Sequence, residues 1–257
     1  MRTPKLLLTV LAAAGLLALS GCAQLNEKPK PRLVMFVGID LSGSFVKSPH
    51  FDDSLEFLSN YLYAHLNGLG GAEVPSALFV GSLGGLKKSE PKVFFPIETF
   101  QGKSPGEIMD KLKEIFPVKK VDPNTDFNAF LDKVSEIVKD RKMVLRPVSI
   151  VMISDGIVDV KGKNGRHDFK SIDFFPLEKL SRNITVRLLY TDPTVGKKWE
   201  TQIPRRRVKV WTQEAEVMAT WKDPKIFLPG EAMEKQEKFL AWIKSNVDFG
   251  VRMKRVD

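Results

Sequence analysis

From Leu33 to Ile39 the chain reads Leu-Val-Met-Phe-Val-Gly-Ile, without one polar side chain. A short unbroken apolar run fits a strand buried on both faces. Val148 to Ile153, broken only by Ser149, and Ile184 to Tyr190, broken by Thr185 and Arg187, are mostly apolar runs as well; Pro75 to Ser82 is a further strand, and Val208 to Trp211 one more. Between the runs the apolar spacing changes to three and four. Leu55, Phe57, Leu58, Leu62 and Leu66 share one helix face after a start at Asp52 or Asp53. Ile108, Leu112 and Ile115 mark a second helix, opened by Ser104-Pro105-Gly106-Glu107 with the spacing of a capping box and closed before Pro117. Phe127, Phe130, Leu131, Val134, Ile137 and Val138 mark a third, beginning at Thr125 or Asp126. Phe174 to Leu180 predicts a short helix, and Glu231 to Val247 a final amphipathic one. Lys92 to Phe95 reads as a short antiparallel edge strand.

Apolar strands alternating with amphipathic helices predict an α/β fold: a doubly wound, mostly parallel central sheet with helices on both faces. In such sheets ligands bind beyond the carboxyl ends of the strands, where the connections diverge. Asp40 follows the first strand, and Asp155, in Ile153-Ser154-Asp155-Gly156, follows another.

The first 21 residues carry a different pattern. Arg2 and Lys5 precede an apolar run from Leu6 to Leu19 that ends in Leu19-Ser20-Gly21-Cys22. A basic start, a short apolar core and small residues before a cut site describe an export signal. The run is shorter than the ~20 residues of a membrane span. Leu-Ser-Gly-Cys also resembles the lipobox of bacterial lipoproteins, which implies cleavage before Cys22, a diacylglycerol thioether on it and N-acylation. Cys22 is the only cysteine, so no disulfide forms within the chain. The expected organisation is a signal over 1–21, a lipidated tether over 22–32 containing Pro29 and Pro31, and a domain over 33–257 with an extension from about 212. By the same resemblance the protein sits in the bacterial cell envelope outside the cytoplasm. Ala23, in place of an Asp, favours the outer membrane in a Gram-negative cell.

The chain is 257 residues long with a formal charge of +9, and losing Arg2 and Lys5 would bring this to about +7. A basic exported protein meets anionic lipid or acidic partners, and export argues against nucleic acid.

The candidate chemistry lies in Asp40-Leu41-Ser42-Gly43-Ser44. One carboxylate and two hydroxyls alternate on a turn that Gly43 lets bend, all hard oxygen donors of the kind a small divalent cation takes. The segment resembles the DxSxS motif of von Willebrand factor type A domains. Thr125-Asp126-Phe127 with Ala129 is similar to that family's second segment, and Ile153-Ser154-Asp155-Gly156 to its third. The resemblance covers about Leu33 to Trp211, with the last helix as a closing element. It implies a metal-ion-dependent adhesion site made of Asp40, Ser42, Ser44, Thr125 and Asp155. The cofactor is then a divalent cation, Mg²⁺ first, with Mn²⁺ or Ca²⁺ as alternatives. Neutral hydroxyls leave the cation electron-poor, so an open position attracts an Asp or Glu of a partner protein.

Set against this are a family fold whose site no longer binds, and a reading of Ser42 and Thr125 as mere turn and helix caps. Three function classes follow: a lipid-anchored binding module for adhesion, assembly or scaffolding, which is not an enzyme; a metal-independent structural lipoprotein; and a metal-dependent hydrolase, for which no general base is placed near the motif.

Other features carry less. Lys197, Lys198, Arg205, Arg206, Arg207 and Lys209 are expected on a loop and strand edge, with Trp199 exposed among them. His50, His65 and His167 are expected at the surface or on helix flanks. The glycine-rich stretches near 67–71 and 81–85 read as turns. Trp221, Phe227 and Leu228 in the extension are open between docking on the domain and docking on a partner.

Overall fold

The computed structural model describes residues 30–85, 92–117, 124–162, 165, 167–252 and 254–256. The export signal, Cys22 and most of the tether lie outside the described residues. Pro31 to Asp257 forms one compact unit. No described helix is long and apolar enough to cross a membrane.

Six strands make the main sheet: β1 (Val34–Ile39), β2 (Ala77–Ser82), β4 (Phe94–Pro96), β6 (Val148–Ile153), β7 (Ile184–Thr191) and β8 (Lys209–Glu214). Their order is β4-β2-β1-β6-β7-β8. All pairs are parallel except β2 with β4, the expected antiparallel edge. A two-residue ladder joins β3 (Gly84–Gly85) to β5 (Asn124–Thr125). The helices are α1 (Gly43–Val46), α2 (Phe51–Asn67), α3 (Pro105–Ile115), α4 (Phe127–Asp140), α5 (Phe175–Glu178), α6 (Pro193–Gln202), α7 (Ala215–Ala219) and α8 (Glu237–Asn246).

Alternation along the central strands sends side chains to two cores. Met35, Val37, Ile39, Val151, Ile153 and Leu189 meet α2, α3 and α8 on one face. Val34, Phe36, Ile150, Met152, Val186 and Leu188 meet α4, α5 and Trp199 on the other. Because both faces are covered, β1, β6 and β7 are buried throughout. Gly38 is required by this closeness: a Cβ there would lie 2.4 Å from Leu83 Cδ2 and 2.9 Å from Phe130 Cζ.

The helix boundaries follow the capping chemistry. Ser104 and Glu107 form a complete capping box at α3, and Asp126, rather than Thr125, caps α4 by accepting from the Ala129 N–H. The final helix starts later than its apolar pattern suggested, after a separate turn at Met233–Lys235.

Two expectations are corrected, and the placement of the extension, left open by the sequence, is decided. Lys197 and Lys198 lie on α6, not on a loop, and Trp199 is fully buried, donating from Nε1 to the Gly156 carbonyl at 2.8 Å. The charged residues around it concealed the packed face of a helix that Pro193 opens and Asp192 caps. His65 is buried, with Nε2 2.8 Å from Asp248 Oδ2 and Nδ1 2.9 Å from the Glu73 carbonyl oxygen. The extension docks on its own domain: Trp221 is fully buried against Phe57, Phe227 and Phe239. Its indole N–H, the Tyr190 hydroxyl and Lys222 Nζ all reach the Asp53 carboxylate.

Candidate functional site

The sheet order reverses at β1: β2 lies on one side and β6 on the other. The first and third sequence segments end at that crevice. Ile39 and Ile153 are in register, and the Asp40 N–H donates to the Ile153 carbonyl at 2.9 Å, so the residues after β1 and β6 emerge side by side. The second segment arrives through the small ladder. Gly84 pairs with Thr125, and the Asp126 N–H donates to the Leu83 carbonyl at 3.1 Å, which lays the head of α4 against the end of β2.

Asp40 is the centre of what results. Its Oδ1 accepts from the Ser42 N–H at 2.8 Å and from Thr125 Oγ1 at 3.3 Å. Its Oδ2 accepts from Ser154 Oγ at 2.5 Å. The Ser42 and Ser44 hydroxyls are 3.1 Å apart. Asp40 is fully buried, Ser42 and Thr125 nearly so, and Ser44 is exposed. Four of the five expected residues are thus joined by direct contacts. Asp155 is half-buried beside them; its Oδ1 accepts from the Ile157 N–H at 3.0 Å, and its charge acts on Asp40.

The hydroxyls are not spent on caps. Ser42 stands at the N-cap position of α1 but makes no side-chain capping bond. Thr125 leaves the capping of α4 to Asp126.

Two residues enter that the motif reading passed over. Ser154 lay inside the quoted third segment; it donates to Asp40 and accepts from the Gly156 N–H at 2.9 Å, fixing the turn after β6. Asp159 Oδ2 accepts from the Thr125 N–H at 2.6 Å across 34 residues, a contact that no spacing rule announces. Tyr190, at the end of β7, holds φ of 76°, a region costly for an aromatic residue. Its ring centroid lies 6.4 Å from that of Phe45, behind the Ser42–Ser44 turn.

Burial pushes the Asp40 carboxyl up to about 6, and the Asp155 charge adds to this, while the hydrogen bonds from Ser154 and Ser42 pull the other way. Among the described residues, no cationic side chain is one of the groups that act on it. A buried carboxylate held only by neutral donors is costly, and a cation is the group that would offset that cost. The donor set fits one: two carboxylates and three hydroxyls, all hard oxygens. Among the described residues no three His, Cys, Asp or Glu side chains gather to hold a metal, so a cation here would depend on the hydroxyls.

No protein-family model matches the chain, and no curated protein matches it in sequence. Solved structures align with it in three dimensions. Proximal thread matrix protein 1 from the mussel byssus aligns over 81% of this chain and 48% of its own, at 14% identity and a TM-score of 0.47. A second structure of that mussel protein, described as having a zinc-occupied MIDAS motif, aligns over 82% and 46% at 13% identity and 0.43. The manganese-loaded TRAP protein of Plasmodium vivax aligns over 75% and 72% at 14% identity and 0.43. The chain spans about half the length of the mussel protein. These scores are below 0.5, and the fold described above stands on its own strand order and register.

Proposed function

We propose that the chain is a von Willebrand A-like binding module, carried on a lipid-anchored envelope protein, that holds a divalent cation at Asp40 and engages an acidic residue of a partner protein. The observation that carries this reading is the convergence of Asp40, Ser42, Ser44 and Thr125, with Asp155 beside them, at the switch point between β1 and β6. Ser42, Ser44 and Thr125 would offer the cation neutral oxygens, and Asp40 and Asp155 the charge. Once bound, the cation would supply a positive centre that attracts an outside carboxylate. Ser154 and Asp159 hold Asp40 and Thr125 in place, as outer hydrogen-bond partners do at metal sites. Ser44, the exposed member, marks the side from which a partner would approach.

A binding role is favoured over catalysis because both Asp40 oxygens already accept hydrogen bonds in a buried setting and have little reach to take a proton from a substrate. Mg²⁺ is the first candidate, with Mn²⁺ and Ca²⁺ as alternatives.

Calorimetry of the chain with each metal tests the site. Binding that is lost in Asp40→Asn and weakened in Thr125→Ala is expected; no heat at millimolar metal overturns the reading. Crosslinking from membranes with and without EDTA tests the partner, whose capture should require the metal. Palmitate labelling that disappears in Cys22→Ser tests the anchor.

A further inference from the structure

The two ends of the parallel sheet differ in charge and in exposed apolar surface. At the carboxyl ends of β1, β6 and β7, segments 40–50, 154–162 and 191–192 carry Asp40, Asp155, Asp159 and Asp192 against Lys47 and Lys161. At the amino ends the balance reverses. Segments 31–33, 68–76, 141–147, 179–183 and 203–208 precede β1, β2, β6, β7 and β8, and their single acid is Glu73. Arg32, Arg141, Lys142, Arg182, Arg206 and Arg207 are all exposed there. Asp140 and Glu178 close α4 and α5 nearby, and Glu178 Oε1 accepts from the backbone N–H groups of Arg206 and Arg207.

Apolar side chains stand out of the same end. Among the described residues seven large hydrophobics are exposed, and three of them are here: Val74 at 36%, Val144 at 41% and Leu145 at 75%. Leu145 and Val144 are held out by a turn of defined shape. In Met143-Val144-Leu145 only Met143 turns inward, and it is buried. The Met143 N–H donates to the Val138 carbonyl at 2.8 Å, Leu145 N–H to Leu180 at 3.1 Å and Arg146 N–H to Met143 at 3.1 Å. Lys142 and Leu145 both have positive φ, 55° and 75°. Left-handed backbone at two non-glycine residues persists only where surrounding contacts fix it. The turn joins the Val74 loop directly, because Arg146 donates to Ser76 Oγ at 3.2 Å. Pro31 and Arg32 lead into β1 at this end as well.

We propose that the amino-end face of the sheet, with Leu145, Val144 and Val74 at its centre and the exposed arginines and Lys142 around them, is a docking surface for an anionic lipid bilayer. Apolar tips inside a basic rim match the interface of a charged membrane, where the tips enter the acyl boundary and the cations meet headgroups. A soluble polyanion would use the cations but leave Leu145 and Val144 in water. Docking this way would turn the Asp40 end of the sheet away from the membrane, toward a partner. The surface needs neither the bound cation nor the acylated cysteine.

The mature chain, begun at position 22 with Cys22→Ser and without the apolar run of 1–21, tests this with one environment-sensitive fluorophore at Leu145→Cys or at Val160→Cys at the opposite end of the sheet. Each form is mixed with vesicles of phosphatidylcholine alone or with 30% phosphatidylglycerol, containing spin-labelled lipid. The fluorophore at 145 should shift to the blue and be quenched with phosphatidylglycerol present, while the one at 160 is not. Lys142→Glu with Arg182→Glu should lower the lipid-contacting fraction about tenfold. An unquenched 145 fluorophore, quenching at 160 instead, or equal quenching without phosphatidylglycerol overturns the proposal. Metal calorimetry on the same variants should be unchanged, so failure here is distinct from failure of the cation reading.

Discussion

The buried carboxylate of Asp40 makes a prediction whose sign runs against the usual behaviour of acidic residues. In the metal-free protein, burial raises this carboxyl from its ordinary 3.8 to about 6. Between those values the folded chain holds a proton that the unfolded chain has released. This contribution to stability is therefore fully present below pH 3.8 and falls as pH rises through 6, by about 3 kcal/mol in all. Asp40→Asn removes the charge and keeps the shape. The carboxamide oxygen can still accept from the Ser42 N–H and the Thr125 hydroxyl, but the Ser154 hydroxyl must turn from donor to acceptor, which costs about 1 kcal/mol. In EDTA at pH 7.5 the variant should be more stable than the parent by about 1–3 kcal/mol, and near pH 4 the two should nearly coincide. Urea unfolding at both pH values measures this, with unchanged slopes as the sign that the unfolded state is the same. Added Mg²⁺ should then reverse the order, stabilising the parent by about 2.7 kcal/mol at one hundred times its Kd and leaving the variant unmoved. A variant that is less stable than the parent in EDTA at pH 7.5, or a gap independent of pH, would refute the reasoning.

Other consequences are open to direct measurement. Ser154→Ala removes a donor to Asp40 and an acceptor for the Gly156 N–H, and should weaken metal binding about 10- to 100-fold by calorimetry with little change in fold. Trp221→Ala empties a fully buried aromatic site and should cost about 3–5 kcal/mol in urea unfolding; a cost below about 1 would mean the extension does not close the core. Asp248 is half-buried, and its loss of water alone would raise its carboxyl, but His65, Arg187 and Tyr61 outweigh this and hold it below the usual carboxylate range. The stability it provides is present above pH 3.8 and lost as pH falls through its lowered value, so Asp248→Asn should flatten the acid limb of a thermal-melting profile.

The apolar runs and helical spacings determined the α/β class, and the capping box of α3 was legible residue by residue, because these are local properties of the chain. The DxSxS turn was legible as a set of hard oxygen donors, and the strand-end rule placed Asp40 and Asp155 at the same end of the sheet; Thr125 joined them only through the resemblance to von Willebrand A segments. What the chain order left unspecified was everything that depends on distant partners. Trp199 read as exposed because its neighbours are charged, yet α6 buries it against the turn after β6. His65 read as a flank residue, but Asp248 lies 183 positions away and meets it only when the end of the chain folds back. Asp159 under Thr125, and Trp221 beside Asp53, are likewise decided by packing between elements far apart in sequence. Side-chain period and capping act within a few residues and survive in the linear text. Which buried polar groups satisfy one another is settled only when the sheet order and register bring strand ends together.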